Sequence, residues 1–132
     1  MKYMLDTDTC IYVINKRPQK VFDRFKRHRV GDIGLSSIAL SELQYGAQKS
    51  SNVEKNLESL NAFVTPLEIL EYGEAEAQTY GEIRNKLERK GQPIGSMDLL
   101  IAAHALTLGL TLITNNRREF SKVPNLQIES WT

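Results

Sequence analysis

The strongest constraint on this chain is the order in which its hydrophobic periodicities alternate. Short apolar runs of strand length are separated, from one end to the other, by longer segments with helical spacing. The runs Tyr3–Leu5, Ile33–Ser36, Leu67–Leu70, Leu110–Thr114 and Leu126–Ile128 read as strands. Helices are expected over Thr9–Lys16, Gln19–His28, Ser37–Ala47, Asn52–Val64, Gly73–Lys90 and Met97–Leu108. Pro18 and Pro66 stop two of these, and Gly91 and Gly109 stand where two others end. Ser37 and Ser96 are the expected N-caps. Such alternation predicts an α/β fold, with a largely parallel sheet of four to five short strands and helices on both faces. The 132 residues contain no repeat, linker or low-complexity stretch, so one domain spanning 1–132 is expected.

A parallel sheet has one carboxyl edge, and ligands of open α/β sheets bind in the crevice beyond it. Several acids fall there. Asp6 ends the first strand, Glu42 lies in the second turn of the helix after Ile33–Ser36, and Asp98 lies in the first turn of the most apolar helix. Asn116 follows the Leu110–Thr114 strand, and Glu119 comes a turn later. The apolar helix is expected to bury a stripe of Met97, Leu100, Ile101, His104, Ala105 and Leu108, with Asp98 beside it. Glu42 shares a face with Ile38 and Tyr45. Each acid alone has a plainer reading: Asp6 or Asp8 as a helix cap, Asp98 as a partner of the helix dipole. Three or four together would repel one another unless a cation intervened. Oxygen ligands without Cys or a nearby His suit Mg²⁺ or Mn²⁺ rather than zinc, and such ions serve phosphodiester chemistry. Thr7 and Thr114 are candidates to orient water or phosphate, or simply to cap and terminate elements. His104 reads as packed; His28 is open to either reading. No nucleophile elbow, glycine-rich phosphate loop or dinucleotide fingerprint is present.

The net charge is only +1, but it is unevenly spread. Lys16, Arg17, Lys20, Arg24, Lys26, Arg27 and Arg29 face a single acid, Asp23, in one short segment, a pattern that suits polyanions or a solvated helix face. One cysteine, Cys10, rules out a disulfide framework and a cysteine-rich zinc site, and reads as a buried thiol. With no membrane-length apolar run and no signal-peptide pattern, a cytoplasmic setting is expected.

Several of these residues stand in a familiar order. Met4-Leu5-Asp6-Thr7, Ser41-Glu42-Leu43 with Tyr45-Gly46-Ala47, Pro93-Ile94-Gly95 before Asp98, Ile101-Ala102-Ala103-His104-Ala105, and Thr114-Asn115-Asn116 with Glu119-Phe120 resemble the pattern of the VapC toxins. The likeness spans essentially the whole chain, Trp131 included. VapC proteins are PIN-domain ribonucleases of type II toxin–antitoxin modules, so the resemblance implies a three-layer PIN-like domain and a metal site built from Asp6, Glu42 and Asp98. The family's fourth position, often Asp, matches Asn116, with Glu119 near enough in sequence to supply the charge. Asp8 stands where relatives usually carry Asn.

By the same resemblance the chain would be an Mg²⁺-dependent endoribonuclease, with Mn²⁺ able to substitute. Its substrate would be tRNA, specifically the anticodon stem-loop of initiator tRNA. Apart from the resemblance, the charge distribution makes the basic segment Lys16–Arg29 (Lys16, Arg17 and Lys20 foremost), together with Arg84, Lys86, Arg89, Arg117 and Arg118, the expected hold on the RNA backbone. The implied partners are a VapB-type antitoxin, operator DNA through that antitoxin alone, and a second copy of the chain, with larger toxin–antitoxin assemblies possible. Helices from about Asn52 to Lys90 would supply the dimer face and an antitoxin groove. Rival readings are a nuclease for structured DNA or other RNA, a metal-dependent phosphatase, and a non-catalytic nucleic-acid-binding module.

Overall fold

A computed structural model describes residues 1–132, the side chain of Val30 excepted. Five strands, β1 (Tyr3–Leu5), β2 (Ile33–Ser36), β3 (Glu68–Leu70), β4 (Thr111–Ile113) and β5 (Ile128–Glu129), form one sheet in the order β3-β2-β1-β4-β5. Every pairing is parallel, with Met4 of β1 in register with Gly34 on one side and Leu112 on the other. The strands are apolar because both faces are covered. Met4, Leu5, Leu35, Leu112 and Ile113 are fully buried, each side chain contributing about 1.5–3 kcal/mol by leaving water. Gly34 has to be small. A Cβ there would come within 2.6 Å of a Leu70 methyl and 2.7 Å of the Met1 sulfur.

Seven helices flank the sheet: α1 (Thr7–Asn15), α2 (Gln19–Arg27), α3 (Ser37–Gln48), α4 (Val53–Val64), α5 (Glu74–Arg89), α6 (Ser96–Leu108) and the short α7 (Arg117–Phe120). Helices α1 to α4 form one connected group, α5 packs along α6, and α3 touches α6. From β1 the chain steps outward to β2 and β3, then returns to the other side of β1 for β4 and β5. The winding therefore reverses at β1, and the crevice of a doubly wound sheet opens where the winding reverses, between the carboxyl ends of β1 and β4.

Several expectations are corrected in detail. α1 begins at Thr7 rather than Thr9, because the Asp6 carboxylate accepts the Thr9 backbone N–H at 2.8 Å and caps the helix two residues early. α3 is capped by Ser36, whose hydroxyl accepts the Ile38 N–H, while the Ser37 hydroxyl accepts the Tyr72 N–H. Gly95, not Ser96, is the N-cap of α6 and offers no side chain. The expected single stripe on α6 does not exist. Leu99, Ile101, Ala102, Ala103, His104 and Ala105 are all buried, while Met97 and Leu108 are exposed, because α6 is covered on several sides. The last strand lies at Ile128–Glu129, slightly later than expected, and α7 and a 3₁₀ turn at Val30–Asp32 were not anticipated. The helix ends at Gly91 and Gly109 occur as expected, both glycines adopting left-handed backbone angles.

Candidate active site

β1 delivers Asp6 to the crevice because the residue after a buried strand emerges at its carboxyl end. Its backbone N–H stays in the sheet, donating to the Ile113 carbonyl at 3.0 Å. The side chain is nearly buried, 5% exposed. Burial pushes its pKa above the usual carboxylate value; hydrogen bonds from Thr114 and Thr9 pull the other way without prevailing, and Asp8 adds repulsion. Thr114, at the end of β4, is itself buried, and its hydroxyl oxygen accepts the Asn116 N–H at 2.9 Å. The Asp6 N–H bond to Ile113 thus joins the two strands flanking the switch point.

Glu42 arrives from the neighbouring strand's helix, α3. The Thr7 hydroxyl donates to its Oε1 at 2.6 Å, tying the first turn of α1 to the second turn of α3 across 35 residues of chain. Asp98, in the first turn of α6, is half-buried. Burial raises its pKa, and Asp6, Glu42, Asp8 and Glu119 each raise it further by charge repulsion. Four carboxylates spread over most of the sequence therefore act on one.

Among the described residues no basic side chain pairs with Asp6, Asp8, Glu42 or Asp98. The only ion pairs there are Arg24–Glu129, Arg84–Glu88 and Lys122–Glu119. Glu119 is thus engaged by Lys122 at 3.0 Å, and Lys122 also reaches the Pro93 carbonyl in the loop before Asp98, at 3.5 Å. Lys122 carries no signal in the sequence beyond its i,i+3 spacing from Glu119. Asn116 is the N-cap of α7, at the mouth of the crevice between β4 and Glu119.

Among the described residues no three carboxylate, thiolate or imidazole groups come together as a ready-made metal cage. A Mg²⁺-type ion keeps several waters and takes only one or two carboxylates from the protein. The all-oxygen donors, the burial of Asp6 and the mutual repulsion felt by Asp98 fit such an ion.

Of the basic residues, Arg117 opens α7 beside the crevice and is exposed. Lys16, Arg17 and Lys20 are exposed beyond the far end of α1, roughly 13 Å along a nine-residue helix from Thr7. Lys16 and Lys26 lie over the Phe22 ring at 5.5 and 5.2 Å. Arg84 is occupied within α5 by Glu88 and the Tyr80 hydroxyl, both at 2.8 Å. His28 stacks on Trp131 with ring centroids 5.0 Å apart and contacts Tyr3 at 4.8 Å.

A groove of about 500 Å³ runs between α1, α3 and α4, lined by Ile11, Ile14, Leu43, Leu60 and, at one end, Glu42. A second, of about 340 Å³, continues it between α1, α2 and α4 and shares Ile14 and Ser59. Helix α5, expected to help form a groove, lines neither.

Comparison with known proteins gives a consistent result. The PIN domain family model matches residues 3–126. Ribonuclease VapC2 of Rickettsia felis is 46% identical over 132 residues, covering 99% of this chain and 98% of that protein. The tRNA(fMet)-specific endonuclease VapC of Salmonella typhimurium is 44% identical over 131 residues, with the same coverage. Among solved structures, VapBC2 from Rickettsia felis bound to a promoter DNA fragment superposes with a TM-score of 0.92 at 44% identity, covering all of both chains. DNA-bound VapBC from Salmonella typhimurium superposes with a TM-score of 0.94 at 44% identity, covering 100% of this chain and 99% of that one.

Proposed function

The chain belongs to the PIN-domain family, and within it to the VapC proteins, and from that premise we propose that it is a toxin endoribonuclease dependent on a divalent cation. The observation that carries the reading is the charge repulsion that Asp6, Glu42, Asp8 and Glu119 each exert on the half-buried Asp98 carboxyl. Asp6 and Asp98 would hold Mg²⁺ or Mn²⁺, with Glu42 as a ligand or bound through water and Asn116 and Glu119 bordering the ion. When bound, the ion lowers the pKa of a water and stabilises charge developing on the scissile phosphate.

The chain's own residues prepare that site. The Thr9 N–H holds the Asp6 carboxylate, and the Thr7 hydroxyl fixes Glu42. Asp98, whose charged form is disfavoured by burial and by its neighbours, has most to gain from a cation. Exposed Arg117, with Lys16, Arg17 and Lys20 farther out, would contact backbone phosphates, and sequence preference would come from RNA shape and splayed loop bases.

The substrate we propose is initiator tRNA, the substrate named for the Salmonella typhimurium relative. The partner is an antitoxin of the VapB kind, as in the VapBC complexes of the relatives, and operator DNA is reached only through it. Its chain would lie in the two continuous grooves across α1 and α4, where Glu42 at one end lets the occupant reach the acids. A homodimer in the cytoplasm is the expected working form.

Purified protein would be assayed on folded initiator tRNA, an elongator tRNA and a structured DNA, with Mg²⁺, with EDTA, and as Asp98→Asn. Cleavage of initiator tRNA alone, lost with EDTA and in the variant, is the expected result. Equal cleavage under every condition would overturn the proposal. Light scattering, alone and with the antitoxin, reads the assembly.

A further inference from the structure

Two consecutive serines close β2, and separate elements grip them. The Ser37 hydroxyl takes the Tyr72 N–H from the loop before α5. The Ser36 oxygen accepts the Ile38 N–H at 3.1 Å and lies 2.8 Å from Nδ1 of His104, in the middle of α6. Both side chains are completely buried, and burial lowers the imidazole pKa, against the opposing influence of Glu76 and the Glu71 backbone. The ring sits edge-on to Tyr72, with centroids 5.6 Å apart.

We propose that His104 is a positioning residue for the cation site, holding the start of α3 through Ser36 and thereby fixing where Glu42 stands relative to Asp98. The proposal rests on the cation-site reading above. Its geometry is direct. His104 lies on the helix that carries Asp98, and Ser36 caps the helix that carries Glu42, so one hydrogen bond couples the two acid-bearing elements.

Stability alone does not call for this pair. Nε2 of His104 has no hydrogen-bond partner, a cost that a fully apolar pair of similar size would remove. α6 otherwise fills its buried positions with Leu, Ile and Ala. A polar, half-satisfied pair kept in the core at that cost registers one helix against another, as buried polar groups do when they specify geometry.

The test measures Mn²⁺ binding by water-proton relaxation, melting in EDTA, and kcat and KM on tRNA. The variants are His104→Leu, His104→Gln and the double change Ser36→Ala with His104→Leu. The double variant is expected to melt within a few degrees of wild type yet bind Mn²⁺ about ten-fold more weakly, with kcat lowered similarly and KM unchanged. His104→Gln, whose side-chain oxygen can accept the Ser36 hydroxyl, is expected to recover most of what His104→Leu loses, which keeps the test decisive if the double variant folds poorly. Variants that bind Mn²⁺ and cut like a competent wild type would overturn the positioning role alone. So would losses that merely track melting temperature without rescue by Gln. A wild-type protein that binds no Mn²⁺ would overturn the cation reading and this inference together.

Discussion

Asp6 serves two ends with one carboxylate. It caps α1 through the Thr9 N–H, and it faces the other acids across the crevice. The two roles separate chemically. Asp6→Asn keeps a good cap and Asp6→Ala does not, so the alanine variant should lose about 1 kcal/mol more stability while both lose cleavage.

For Asp98 the expected signs oppose each other. Its folded-state pKa lies above the usual 3.8, so the folded protein holds that proton more tightly than the unfolded chain does. The resulting contribution is present at low pH and is lost as pH rises from about the unfolded value through the raised folded one. At neutral pH the ionised group therefore destabilises the fold. Asp98→Asn should raise Tm at pH 7 without metal by on the order of a few degrees, and the gain should vanish near pH 3. Cleavage should fall by roughly a hundred-fold or more. Melting curves across pH in EDTA check the sign; an unchanged or lowered Tm at pH 7 would count against the repulsion described here. Added Mg²⁺ should raise the wild-type Tm and leave the variant's unmoved.

Among the elements, α6 explains most about what could be read in advance. Its existence and its end followed from local chemistry: an unbroken apolar run closed by Gly109, whose left-handed angle suits only glycine well. Gly109→Ala should accordingly cost about 1 kcal/mol, seen as a lower denaturant midpoint at unchanged slope. The burial of α6 was not legible. A stripe can be drawn on any helix, but neighbours on more than one side bury Leu99, Ala102 and Ala103 as well. The caps failed for a related reason. Ser36 and Ser37 are adjacent and chemically alike, and which one caps α3 depends on Tyr72 and His104, which come from distant segments. Glu76 was likewise unremarked among the acids, though its carboxylate is buried as the partner of the Gly73 N–H at 2.7 Å.

At the scale of the whole molecule, charge separates into two regions that the net value of +1 conceals. The acids gather at the sheet's carboxyl edge, while Lys16, Arg17 and Lys20 lie beyond the far end of α1. RNA spanning both would bind with strong salt dependence, and Lys20→Glu should reduce the slope of log affinity against log salt by about 1 or more, measured in EDTA so that binding is read without cleavage. An unchanged slope would place the RNA elsewhere. The groove across α1, α3 and α4 is lined by Glu42 together with Asn15 and Lys55.

Local chemistry determined a good deal unaided. Alternating periods, prolines and glycines specified the α/β class, the parallel sheet and most element boundaries, because hydrogen-bond geometry and backbone angles are settled within a few residues. The acids at strand ends could be named as candidates for the same reason. Their convergence, the hold of Thr7 on Glu42 and the His104–Ser36 link could not be read in this way. Those contacts join segments up to about a hundred residues apart, and only the strand order β3-β2-β1-β4-β5, which reverses at β1, brings them to one edge.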